Sequence, residues 1–197
     1  DALIPDGVVP FRIDKVQTGE IYHKWIKGRW LAPNTLKTLY QTDKIQGIYI
    51  PYWTFDADTS TNYSAMGGID YEVEYTDDKG ERHTRIETRW YPTSGHINHF
   101  FDDVLVRASN KLSDTLLEWI EPYNTKAVAS YSPDYMSGFC SEIYTIDLDD
   151  AHREAMDKMT RDIHYMAERD VLMRYDRVYG VKLRTSYYDE TYKYIFI

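Results

Sequence analysis

The clearest pattern in the chain is a two-residue alternation on either side of a short polar turn. Ile69, Tyr71, Val73 and Tyr75 alternate with Asp70, Glu72, Glu74 and Thr76. After Asp77-Asp78-Lys79-Gly80, the residues Arg82, Thr84, Ile86, Thr88 and Trp90 alternate with Glu81, His83, Arg85, Glu87 and Arg89. A period of two predicts an antiparallel hairpin with one face wet. A four-residue turn sets Glu74 opposite His83 and Glu72 opposite Arg85, which gives His83 a structural role. Upstream, GIYIPYWTF (47–55) is a nearly continuous β-branched and aromatic run. It reads as a strand buried on both faces, with Pro51 pushing it to an edge or a bulge. The final KLRTSYYDETYKYIFI reads as two strands about a turn at Asp189-Glu190.

Helical patterns lie at both ends. Residues 1–13 are an extended lead-in. A short helix is expected over 18–27, capped by Thr18, ended by Gly28, with Ile21, Tyr22, Trp25 and Ile26 on one face. A second short helix follows Pro33. SDTLLEWI (113–120) predicts another, stopped before Pro122, and SPDYMSGF (132–139) predicts a helical turn capped by Ser132 and closed by Gly138. The longest helix should run from about Asp149 to about Arg174, with Met156, Met159, Ile163 and Met166 as its apolar stripe. Arg153–Asp157 and Glu154–Lys158 pair at one-turn spacing on its surface. These elements add up to a single α+β domain over 1–197. Lead-in and short helices occupy 1–45. An antiparallel, aromatic-rich sheet packed against one long C-terminal helix occupies 46–197.

The chain has 197 residues, enough for a sizeable core, and its 15% aromatic content with 19 Tyr favours sheet. Net charge is −9, which argues against nucleic-acid binding by the whole surface. The charge is uneven: residues 12–46 hold seven Lys or Arg against three acids. Cys140 is the one cysteine, so neither an internal disulfide nor a multi-cysteine zinc site can form within the chain. No signal peptide and no apolar run of membrane-spanning length is present, and a cytoplasmic setting is the default expectation.

Two stretches carry candidate chemistry. In SGHINHFFDD (94–103), a helix would align His96, His99 and Asp103 for one metal ion. A strand would split them, with His96, Asn98 and Asp102 on one face and His99, Phe101 and Asp103 on the other. Pro92 and Gly95 as breakers, and Phe100, Phe101, Val104 and Val106 as strand formers, favour the strand. Its polar groups then serve a sheet rim or a buried network. In HKWIKGRW (23–30), Lys24, Lys27 and Arg29 interleave with Trp25 and Trp30. That composition can grip phosphates and stack bases, or cover acidic surface of the same protein. Cys140 has no evident neighbouring base, and no phosphate loop, dinucleotide fingerprint or nucleophile elbow occurs.

VVPFRIDK, KWIKGRWLAPN, IQGIYIPYWTFDADT, RWYPTSGHINHFFDDVLVRAS and YDETYKYIF together resemble a bacterial family. In it a short amino-terminal zinc ribbon precedes a domain of this kind. Its members carry the labels "TFIIB-type zinc ribbon-containing" or "primosomal protein N′ (replication factor Y), helicase-like". The resemblance implies a fragment trimmed of an N-terminal ribbon and of C-terminal strands, with zinc confined to the ribbon and no cofactor in this chain. It supplies no catalytic residues. The expected function is a non-enzymatic interaction or scaffold module with a protein partner. Nucleic-acid binding through Lys24, Trp25, Lys27, Arg29 and Trp30, and metal-dependent catalysis by His96 and His99 with Asp102 or Asp103, are the alternatives.

Overall fold

The computed structural model describes residues 3–38, 45–112, 117, 120 and 122–197. The expected helix at 113–120 lies almost wholly outside the described residues. The fold is α+β, with a mainly antiparallel sheet, one long C-terminal helix and a small N-terminal helical segment. The chain forms two compact units that interleave in sequence. Unit 1 comprises 1–54, 105–151 and 192–197, and unit 2 comprises 55–104 and 152–191.

Unit 1 begins with β1 (Gly7–Val8) and α1 (Lys15–Lys27). Asp14, not Thr18, caps α1: its carboxylate accepts from the Gln17 N–H at 2.7 Å, and the Gln17 side chain accepts from the Asp14 N–H at 3.2 Å. This reciprocal pair satisfies two donors at the helix start, which Thr18 cannot match. Thr18 donates instead to the Asp14 carbonyl. Of the predicted apolar face only Ile26 is buried. A short α2 (Asn34–Lys37) follows Pro33 and is tied to α1 by Tyr22, whose hydroxyl donates to the Leu36 carbonyl at 3.0 Å.

The run 47–55 divides at Ile50. The short β2 (Ile48–Tyr49) pairs in parallel with β6 (Cys140–Ser141), and β3 (Pro51–Thr76) starts at the proline. A strand's first position suits Pro51, which needs no N–H there, while its carbonyl accepts from Ala108 at 2.9 Å. The last residues of β7 (Arg177–Phe196) pair in parallel with β1, which pairs antiparallel with β5 (Ala129–Ser130). A Cβ on Gly7 would meet a Val128 methyl at 2.5 Å, so this close pairing requires glycine. Buried Tyr49, Tyr52, Trp53, Tyr194, Ile195 and Phe196 form much of the core. The Trp53 indole N–H donates to the Ile146 carbonyl at 3.1 Å. As expected, Ser132 caps a single 3-10 turn at Pro133–Met136.

Unit 2 is a three-stranded sheet in the order β4-β3-β7, where β4 spans Arg82–Arg107, with α3 (Leu148–Leu172) on one face. The hairpin is far longer than the alternating stretch alone indicates: β3 and β4 have 26 residues each. Its turn is also one residue longer than expected. The Asp77 N–H donates to the Glu81 carbonyl, Asp77 Oδ1 accepts from Lys79 and Glu81, and Gly80 adopts φ 84°. The register therefore shifts. His83 stacks near Tyr75 and bonds Asp77 at 2.9 Å rather than meeting Glu74, and Arg85 pairs with Glu87 rather than Glu72. At the other end Asp189, at φ 48°, bulges a continuous β7 where a two-stranded turn was expected.

The buried stripe of α3 in unit 2 is Ala155, Met159, Ile163, Ala167 and Val171. Met159 and Ile163 match the expected stripe, while Met156 and Met166 lie half-buried at its margins. Alanines at close spacing let the helix approach Tyr63, Ala65, Ile97 and Leu183. The Glu154–Lys158 pair forms at 3.1 Å. Tyr63 is buried on this face, and its hydroxyl donates to Asp170 and accepts from Arg174 at 3.0 Å. A Cβ on Gly95 would lie 2.4 Å from that hydroxyl oxygen.

Burial, reinforced by the Asp170 carboxylate, pushes the Tyr63 phenol up to about 12 from 10.0. An acid whose folded value is raised contributes stability that is complete below pH 10 and is lost as pH rises toward 12. Tyr63→Phe should therefore cost about 1 kcal/mol near neutrality, read by urea denaturation. It should also flatten the alkaline loss of stability. Tyr194, pushed to about 12 by burial, is present in both proteins and cancels in the comparison.

Candidate functional site

SGHINHFFDD lies wholly within β4, as the strand formers in it require. His96 and His99 occupy opposite faces. The His96 ring meets Asn62 Oδ1 through Nδ1 and Asn98 Oδ1 through Nε2, both at 2.9 Å, with Ser60 at 3.4 Å. His99 packs edge-on against Phe101 with centroids 4.5 Å apart, and its carbonyl accepts from the Thr59 hydroxyl at 2.7 Å. The two imidazoles cannot share an ion, so the set His96, His99, Asp102 and Asp103 does not assemble. The reason is the strand's period of two, which sends residues three apart to opposite sides.

The aspartates instead meet a residue that the stretch itself does not contain. One ligand oxygen each from Asp56, Asp102 and Asp103 falls within 4.8 Å of the others. Asp103 sits at φ 55°, a conformation aspartate tolerates better than most residues. The Ala108 N–H donates to the Pro51 carbonyl while the Thr59 hydroxyl donates to the His99 carbonyl, offsets that differ by one residue and fit an extra residue of β4 between these points. That bulge turns Asp102 and Asp103 toward β3. Asp56 accepts the Asp103 N–H at 2.8 Å and the Thr191 hydroxyl at 3.0 Å. Three carboxylates are oxygen ligands of the kind hard cations take, but the bonds to Asp56 already give it a structural task. Asp77, Glu81 and His83 make a second such group at the hairpin turn. The His83 imidazole and the Glu81 N–H hold Asp77 below the usual carboxylate range.

The basic and aromatic residues at 24–30 are brought together on the surface of unit 1. Trp25 is 51% exposed, Trp30 80% and Leu31 78%, with Ile21 at 56% beside them on α1. The Arg29 guanidinium stacks over the Trp25 ring at 4.1 Å, and Tyr22 lies 5.7 Å from that ring. Lys37 donates to the Trp30 carbonyl at 2.9 Å, which fixes the backbone between α1 and α2. Lys24 and Lys27 are exposed and have no recorded partner among the described residues. Ile21 and Trp25, expected to share an apolar face with Tyr22 and Ile26, lie exposed, because α1 buries only the narrow line through Ile26. Cys140 is exposed.

Comparison with known proteins gives little beyond this geometry. No family model matches the chain, and no solved structure matches it. It is 27% identical over 158 residues to "Uncharacterized protein YdjG" of Bacillus subtilis (strain 168). That alignment covers 80% of this chain and 45% of the relative, so the chain spans less than half of that protein.

Two outcomes are expected at β4. Asp56→Asn should lower stability by about 1–2 kcal/mol, since it weakens acceptance from Asp103 and Thr191. Asp102→Asn should leave stability equal or higher, since it removes one of three like charges; urea denaturation reads both. Elemental analysis of protein purified without chelator or tag should give the same transition-metal content for the parent and for His96→Ala/His99→Ala. A stoichiometric metal lost from that variant would contradict the face assignment.

Proposed function

We propose that the chain is a non-enzymatic interaction module, and that its contact surface is the exposed aromatic and basic segment around α1 in unit 1. The resemblance in its motifs to zinc-ribbon proteins suggests that it works beside such a ribbon. The observation that carries the reading is Trp30 with Leu31, two large apolar side chains left almost fully in water and flanked by Lys27 and Arg29. Trp and Arg are the residues that dominate interface energies when a partner desolvates them. Adjacent apolar groups at this exposure are a surface that gains by being covered. Net charge in the rest of the chain is strongly acidic, so a basic patch here attracts an acidic protein segment without being neutralised by its own sequence neighbours.

A second reading follows from the open Trp30 ring beside Lys27 and Arg29, which suits base stacking with phosphate contacts. The two readings differ in what they lose. For a protein partner, Trp30→Ala/Leu31→Ser should abolish specific co-purification from the source cell, while Lys24→Ala/Lys27→Ala should weaken it more mildly. For nucleic acid, a labelled single-stranded oligonucleotide should bind at low salt, with affinity falling steeply as salt rises. Unchanged recovery with Trp30→Ala/Leu31→Ser would overturn the protein reading. Absence of oligonucleotide binding at low salt would end the second.

A further inference from the structure

We propose that the solvent face of the unit 2 sheet carries an anion site, built by Lys182 and Arg184 on β7 with Asn62 and Ser64 on β3, that takes the phosphate group of a small hydroxylated ligand. This site is independent of the surface in unit 1.

The placement follows from strand alternation. Buried Thr61 on β3 and Thr185 on β7 meet through their hydroxyls at 2.9 Å on the face covered by α3. Their neighbours in sequence therefore face the opposite way. Asn62, Ser64, Lys182 and Arg184 are all exposed there, and together with the intervening Tyr63 and Leu183 they line an open depression of about 470 Å³.

The chemistry of the lining selects the ligand. Lys182 and Arg184 lie two residues apart on one strand face, which separates their Cα atoms by about 7 Å. Neither has an ion-pair or hydrogen-bond partner among the described residues. Three other arginines of the same unit are ion-paired, Arg85 with Glu87, Arg174 with Asp170 and Arg177 with Asp70. Two like cations left side by side repel, in a chain with 32 acids against 23 bases. An anion between them removes that repulsion.

The neutral groups complete the recognition. Asn62 Oδ1 is engaged by His96 at 2.9 Å, which leaves the amide NH2 of Asn62 to donate. The Ser64 hydroxyl has no recorded partner among the described residues. A guanidinium offers a fork to two oxygens of one phosphate, an ammonium adds a point charge, and an amide and a hydroxyl supply further donors. The rim beyond is polar rather than apolar, with Ser60, His96 and Asn98 joined by hydrogen bonds around the imidazole. Such a rim suits hydroxyl groups on the ligand and offers nothing to an acyl chain.

The test is a titration of the isotopically labelled chain with inorganic phosphate and with glycerol phosphate, followed by backbone amide shifts at constant ionic strength. Both probes should give saturable shifts centred on residues 62–64 and 182–184, with glycerol phosphate the tighter. Lys182→Gln and Arg184→Gln should each weaken binding about tenfold. Both side chains are exposed, so the variants should keep the parent's unfolding midpoint, and Lys24→Ala/Lys27→Ala should bind as the parent does. Absence of saturable shifts at millimolar probe would overturn the proposal. So would retained affinity in the Lys182→Gln/Arg184→Gln double variant, or binding only to vesicles containing phosphatidic acid.

Discussion

A buried tyrosine organises unit 2. Tyr63 lies near the middle of β3, under α3, and its largely buried hydroxyl must find polar partners. Asp170 and Arg174, one helical turn apart on α3, supply an acceptor and a donor. That requirement fixes the rotation and the height of the helix over the sheet. It also explains the small residues around the phenol. Gly95 on β4 leaves room for the Tyr63 oxygen, Gly67 on β3 leaves room for the Tyr175 ring, and alanines 155 and 167 keep the helix close.

With one sheet face committed to α3, the polar groups of β3 and β4 are sent to the other. Ser60, Asn62, Asn98 and His96 join into a hydrogen-bonded surface, and the Asp56 carboxylate near the bulge is held by the Asp103 N–H and the Thr191 hydroxyl. These groups are largely satisfied by one another. Ser60 meets the His96 imidazole at 3.4 Å, at an exposed position, and no two imidazoles converge among the described residues. The surfaces proposed for recognition are the exposed Trp30 and Leu31 of unit 1 and, on β7, Lys182 and Arg184.

The alternation at 69–90 made the hairpin legible, and the breakers and aromatics of SGHINHFFDD made it a strand. The long continuation of β3 was not legible, because DADTSTNYSAMGG is rich in residues that strands usually lack. Ala57, Thr59, Thr61, Tyr63 and Ala65 do alternate with Asp58, Ser60, Asn62 and Ser64. The inward set is small or hydroxylic because the helix sits so close, so it does not look apolar. The register was missed by one residue because Asp77 gathers two N–H groups and lengthens the turn. Asp56 was missed because strand pairing, not sequence proximity, brings it to Asp102 and Asp103. Lys24, Trp25, Lys27, Arg29 and Trp30 were legible as a group from composition alone. Their degree of exposure was not, since helical periodicity groups Trp25 with Ile26 on one face and does not tell which of the two is buried.

The proposed mode of action of this chain is contact through the exposed surface around Trp30. It is tested most directly by placing a photo-crosslinking amino acid at position 30 in the source cell and comparing it with the same group at Lys79 on the hairpin turn. The account predicts one dominant adduct from position 30, absent from position 79 and reduced by Lys27→Ala/Arg29→Ala. Equal and diffuse adducts from the two positions would contradict it.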